Sequence, residues 1–232
     1  RQQNLTQEHS TYKACLQSCF EMGNGASANE MLEAMSRALF TPDPADISLA
    51  VAAMCRNNNQ EPGWWRQALE LLMKNPSAEV SVGSYDAVIS CMVDERQWKD
   101  ALRLLRDMER GSQEGMHPKP TLATYREVIE CCIAGNKAEQ AVQVLTSMTE
   151  QGIQPTVYTF ELVISSLAKK LQWRRALQLL DLMGNLQVPR TVLTYNAIIS
   201  ACAKAKEARM AKNLLTRMKK DGIKPTIVTY NS

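Results

Sequence analysis

A chain of 232 residues with 45% apolar and 22% charged side chains has enough material for one or two packed domains. Two histidines, His9 and His117, and seven cysteines without a CxxC pair offer little from which to build a metal centre or an acid–base dyad, so no catalytic residue, metal or cofactor is expected. No run of 18 apolar residues occurs, so no membrane span is expected, and the net charge of +3 hides an uneven distribution: residues 1–121 carry 12 Lys and Arg against 16 Asp and Glu, whereas 122–232 carry 15 against 8.

In chain order, residues 1–8 read as an N-terminal extension, and a periodic pattern starts after them. The unit 9–43 places Tyr12, Ala28, Leu32 and Met35 and closes on Pro42-Asp43. Residues 44–81 form a degenerate unit lengthened around NNNQEPG. The unit 82–121 restores the offsets with Tyr85, Ala101, Leu105 and Met108, and carries five extra residues in GSQEGMHPKP. Three strict units follow, 122–156, 157–191 and 192–226: Tyr125, Phe160, Tyr195 and Tyr230 stand 35 residues apart, as do Ala141, Ala176 and Ala211, and Met148, Met183 and Met218. Residues 227–232 open a seventh unit, truncated here, and the chain is read as a segment of a longer protein.

Each unit predicts two helices. Tyr195, Ile198, Ile199 and Cys202 form one apolar stripe at helical period, and Ala211, Leu214, Leu215 and Met218 form the next. Gly-Ile-x-Pro, as in Gly152-Ile153 with Pro155 and Gly222-Ile223 with Pro225, supplies a stop and a rigid turn. Two such helices cannot bury their stripes alone, so neighbours must stack. The expected fold is all-α: an α-solenoid, a right-handed superhelix of about six 35-residue helix-turn-helix repeats with a concave inner surface. Trp65, Trp98 and Trp173 recur three residues before the framework alanine and are read as inter-repeat packing; Cys19, Cys132 and Cys202 are read as buried free thiols.

The 35-residue period, a TYN-like opening, A-x3-L-x2-M in the second helix and a closing G-I-x-P, all present in LTYNAIISACAKAKEARMAKNLLTRMKKDGIKPT, resemble the pentatricopeptide repeat family. The resemblance implies an organellar protein, of mitochondrion or chloroplast, whose transit peptide lies outside this segment and whose groove binds single-stranded RNA one base per repeat in RNA processing, stability or translation. In that family the fifth and last residues of a repeat contact the base edge and the second residue stacks. Carried over, the fifth and last positions pair Lys13 with Asp43, Ser48 with Ser81, Asp86 with Thr121, Arg126 with Thr156, Glu161 with Thr191 and Asn196 with Thr226, and Asn231 begins the next pair. Of these, Ser48, Arg126, Thr156, Thr191, Asn196, Thr226 and Asn231 are the candidate base-edge contacts. Lys13, Asp86, Arg126 and Glu161 depart from the short neutral groups a base edge favours, and threonine closes four successive repeats where a pair-specific code varies. Tyr158, Leu193 and Val228 are the candidate stacking residues, with Lys169 and Lys204 at phosphates, so an RNA grip is expected through residues 157–232. The alternative is a scaffold whose surfaces clamp protein subunits of a large organellar complex, which the acidic fifth residues Asp86 and Glu161 favour.

Overall fold

The computed structural model describes residues 2–56, 63–77 and 79–231, with the backbone alone for residues 2–9 and 113; most of the NNNQEPG insertion lies outside the described residues. Those residues form helices and connecting turns, in the order α1 (Gln2–Met22), α2 (Gly25–Arg37), α3 (Pro44–Arg56), α4 (Trp64–Lys74), α5 (Val82–Asp94), α6 (Trp98–Glu114), α7 (Leu122–Ala134), α8 (Ala138–Glu150), α9 (Val157–Lys169), α10 (Trp173–Asn185), α11 (Val192–Lys204), α12 (Ala208–Lys220) and the single turn α13 (Ile227–Tyr230). The fold is an all-α repeat solenoid with one helix pair per unit. Residues 2–8 continue α1 backwards as helix.

Two compact units divide the chain within α7, residues 1–131 and 132–232. In the first, α3 packs on α1, α2, α4 and α5. Gly25 allows the close approach of α2 to α3, since a Cβ there would stand 2.7 Å from Met54 Cα. Leu16, Ala28, Met35, Ala50, Met54, Ala68, Leu72, Tyr85, Met92, Ala101 and Met108 are fully enclosed. In the second, α11 packs on α9, α10 and α12 around Val163, Ile164, Leu167, Leu180, Met183, Ile198 and Met218. The framework aromatics Tyr85, Tyr125, Phe160 and Tyr195 are all buried, as the stripe requires.

The turns have a physical explanation. Helix α8 closes through a paired motif in which Gly152 N–H donates to Thr149 O at 3.0 Å and Ile153 N–H to Met148 O at 3.0 Å. Gly152 takes φ 74° and Gly222 φ 76°. At the equivalent place after α10 the chain puts Gln187, at φ 56°, in the same left-handed region.

The first helices α3, α7 and α11 open on a reciprocal cap. Thr194 N–H donates to Thr191 Oγ1 at 3.2 Å and Thr191 N–H to Thr194 Oγ1 at 3.0 Å. The same exchange joins Thr121 to Thr124 and, in carboxylate form, Asp43 to Asp46. The recurring last-position threonine is therefore a helix-starting device, which explains why it does not vary.

Candidate nucleic-acid interface

On α3, α5, α7, α9 and α11 the third, fourth, seventh and eighth residues of the unit are buried, so the second, fifth, ninth and thirteenth form the solvent-facing stripe. On α9 this stripe is Tyr158, Glu161, Ser165 and Lys169, and on α11 Leu193, Asn196, Ser200 and Lys204. Tyr158, Leu193 and Val228 are 52%, 66% and 62% exposed and make an apolar row on the second unit. Lys169 and Lys204 end their helices, exposed and without an ion pair among the described residues.

Apart from Arg126, the fifth residues are engaged with the cap that follows. Lys13 Nζ lies 3.1 Å from Asp43 Oδ2, Ser81 N–H donates to Ser48 Oγ at 3.1 Å, and Thr191 Oγ1 donates to Glu161 Oε1 at 2.5 Å. Asp86 and Asn196 are met by the third residue of the next unit instead: Thr124 Oγ1 donates to Asp86 Oδ1 at 2.6 Å, and Thr229 Oγ1 to Asn196 Oδ1 at 2.7 Å. The structure thus brings the fifth position of one unit against the last or third position that opens the next. The hydroxyls of Thr156, Thr191 and Thr226 are bound up in these caps, with Thr156 and Thr159 hydroxyls 2.9 Å apart and those of Thr226 and Thr229 3.2 Å apart. Asn196 keeps its amide N–H groups clear of the cap. Asn231, exposed, ends the single turn of α13.

Arg126 is turned along its own helix, 2.6 Å from Glu127 and 3.8 Å from Glu130. With Asp86 and Asp94 on α5, these make the solvent stripe of the first unit acidic around residues 86–130. Burial raises the Asp86 carboxyl above the ordinary carboxylate range, with the Thr124 hydroxyl opposing and the Glu127 charge adding to the rise. At Lys13 the hydrogen bond and charge of Asp43 raise the ammonium pKa. The Asp43 carboxyl is pushed up by burial but held below its usual value by the Asp46 N–H and the Lys13 ammonium.

Sequence reasoning missed the clefts. Two open clefts of about 450 and 400 Å³ lie between successive first helices of the first unit, one lined by Ser10, Lys13, Gln17, Ala45 and Leu49, the other by Ala45, Ser48, Ala52, Ser81 and Gly83. They fall outside residues 157–232, the span in which the sequence puts the grip. The signal was the small side chains Ala45, Ala52 and Gly83 on the solvent stripe, which leave room between helices. Of the basic residues of 192–226, Lys204 ends a first helix, whereas Arg209, Lys212, Lys219 and Lys220 sit on α12, with Lys219 Nζ 5.9 Å from the Tyr230 ring centroid. Trp65 donates from Nε1 to Glu95 Oε2 of the next unit at 2.8 Å, and Trp98 and Trp173 are half-buried beneath Lys99 and Arg174. The described residues hold no group of three His, Cys, Asp or Glu side chains able to bind a metal, and no helix long and apolar enough to cross a membrane.

A family model for the pentatricopeptide repeat domain matches residues 178–232, one for the PPR repeat family matches 120–169, and one for the PPR repeat matches 83–112 and 158–188. No curated protein matches the sequence. Among solved structures, the pentatricopeptide repeat protein PPR10 from maize is similar with a TM-score of 0.61 and 25% identity over 95% of this chain and 30% of that chain. PPR10 in complex with an 18-nt psaJ RNA element gives 0.50 and 17% over 95% and 36%, and the PPR domain of Arabidopsis thaliana protein-only RNase P 1 in complex with tRNA gives 0.50 and 12% over 96% and 94%. The chain spans about a third of the PPR10 chains it matches. Family models cover residues 83–112 and 120–232, more than half of the chain, and the helix pairs match a solved array of the same repeat, so the chain belongs to the pentatricopeptide repeat family.

Proposed function

We propose that the chain is an RNA-binding protein that holds single-stranded RNA along the solvent stripes of its first helices, and that it serves RNA processing, stability or translation in a mitochondrion or chloroplast. The observation that supports this reading is the junction, repeated within each compact unit, at which a fifth residue meets the opening cap of the next repeat and sets polar groups between successive first helices. Family membership supports it, as does the RNA bound to PPR10 and to the RNase P repeat domain. Asn196 has the amide a base edge can use, Ser48 lines an open cleft, and Tyr158, Leu193 and Val228 provide stacking surface beside the phosphate-binding candidates Lys169 and Lys204.

Selection of the chain against a random single-stranded RNA pool tests the reading: a short enriched motif is expected, with affinity falling steeply in salt by a slope of about 0.7 for each phosphate engaged. Lys169→Glu with Lys204→Glu is expected to abolish retention while helicity by circular dichroism is unchanged. No enrichment and no salt-dependent retention would sink it. The acidic stripe of Asp86, Asp94, Glu127 and Glu130 favours a second reading for the first unit, a scaffold face that clamps a basic protein subunit of an organellar complex; binding of protein but not RNA in the same experiments would select it.

A further inference from the structure

We propose that the outer face of α6 is a second nucleic-acid surface, one that docks on base-paired RNA through its phosphates. Ala101, Leu104, Leu105 and Met108 define the core side of this helix. The opposite pole carries Lys99, Arg103, Arg106 and Arg110, at steps of four, three and four residues. That spacing sets four cations in one line along the helix, about 16 Å from end to end at the ordinary rise per residue. All four are exposed, and none forms an ion pair with a described residue; Lys99 lies over the Trp98 ring, 5.6 Å from its centroid. The acids nearest the line are Asp100 and Asp107, half-buried on one flank, Glu109, half-buried on the other and accepting from the Tyr125 hydroxyl at 2.6 Å, and Glu114 one turn beyond it.

A solvated helix face normally mixes signs, and this chain does so elsewhere. In the second unit, charges on successive second helices are paired, Arg175 with Glu139 at 2.6 Å and Arg217 with Asp181 at 2.6 Å. On α6 the four cations neighbour one another along the pole, with Asp100, Asp107 and Glu114 beside it rather than paired to it, and they repel one another until an anion arrives. Three of the four are arginines, whose planar fork suits phosphate. The pole has no exposed apolar or aromatic side chain, so it lacks the anchor that a protein interface needs and the aliphatic face that a membrane surface needs. It equally lacks a platform for unpaired bases, in contrast to Tyr158 and Leu193 on the first helices. What remains is a rail for phosphates whose bases are stacked and paired elsewhere, as in a double-stranded stem. The proposal does not depend on the first-helix reading.

The test uses the whole chain with two probes, an RNA hairpin with a fully paired stem and an unstructured oligouridine of equal phosphate number. The triple variant Arg103→Gln, Arg106→Gln, Arg110→Gln is expected to weaken hairpin binding at least about tenfold and to flatten its salt slope by about 0.9 for each phosphate no longer neutralised, while oligouridine binding stays within about twofold. The variant Lys169→Glu, Lys204→Glu is expected to do the reverse, so failure of the first-helix reading and failure of this one are separable. Unchanged hairpin affinity, an equal loss on both probes, or binding of the wild-type chain to phosphatidylserine vesicles but not to the hairpin overturns the proposal. Should the triple variant fail to fold, dicarbonyl modification of the wild-type arginines decides: the hairpin is expected to protect Arg103, Arg106 and Arg110, and modification at the free rate overturns the proposal.

Discussion

Asp86 shows how one side chain can weigh on the packing of a helix. It is half-buried on α5, satisfied by the Thr124 hydroxyl at 2.6 Å, and its carboxyl pKa is raised by that burial. A carboxyl whose folded pKa lies above its unfolded one binds its proton more tightly in the native state; it favours folding at low pH and opposes it as pH rises through the folded value. Asp86→Asn keeps an acceptor for Thr124 and removes the charge. Thermal melts are expected to show a gain of a few degrees at about pH 7 that vanishes near pH 3, where the wild-type carboxyl is itself protonated. The same variant gives this unit the fifth-position side chain of Asn196, so its affinity for single-stranded RNA is expected to rise. Gln187 is a second isolated cost, a side chain at φ 56° where the equivalent places hold Gly152 and Gly222. Gln187→Gly is expected to stabilise the chain by a few tenths to about 1 kcal/mol in urea unfolding, left-handed relief outweighing the entropy of the added glycine.

The helix pairs were legible in the sequence because their signals are local. Apolar stripes at helical spacing and the Gly-Ile-x-Pro stop act within a dozen residues, and the buried Tyr85, Tyr125, Phe160 and Tyr195 sit where the 35-residue register puts them. The recurring threonine was visible but its work was not, since the base-reading role carried over to Thr191 hid a cap with Thr194 three residues away. The junction of Glu161 with Thr191 or Asn196 with Thr229 spans 30 or more residues and comes from stacking of one unit on the next, which no spacing within a single unit reports. Thr191→Val is therefore expected to cost about 1 kcal/mol for the cap, and more for the Glu161 carboxylate left without its donor, with Thr191→Ser recovering most of it. Denaturant unfolding of the three proteins measures this; a Val variant as stable as wild type would remove the cap from the account.

At the scale of the chain, contacts run between neighbouring helices, so damage should stay local. Leu180→Ala on α10, at a fully enclosed site, is expected to cost about 2–5 kcal/mol and to raise amide exchange in α9 to α12 while α2 and α3 keep their protection. Uniform loss of protection along the chain would contradict this. Net charge was a poor guide at this scale: the acidic total of residues 1–121 concealed the cationic pole of α6, and the basic total of 122–232 concealed how many cations lie on α12, because a sum carries no information about helix faces. The junction between a fifth residue and the next cap has a mechanical consequence as well. Where Thr229 donates to Asn196 Oδ1, the side chain whose amide is proposed to meet a base also ties one repeat to the next, so replacing it alters the stiffness of the joint. On the proposed reading, a chain altered at Ser48 or Asn196 would meet a different base on an altered spring, and the spacing to the neighbouring repeat would move with it.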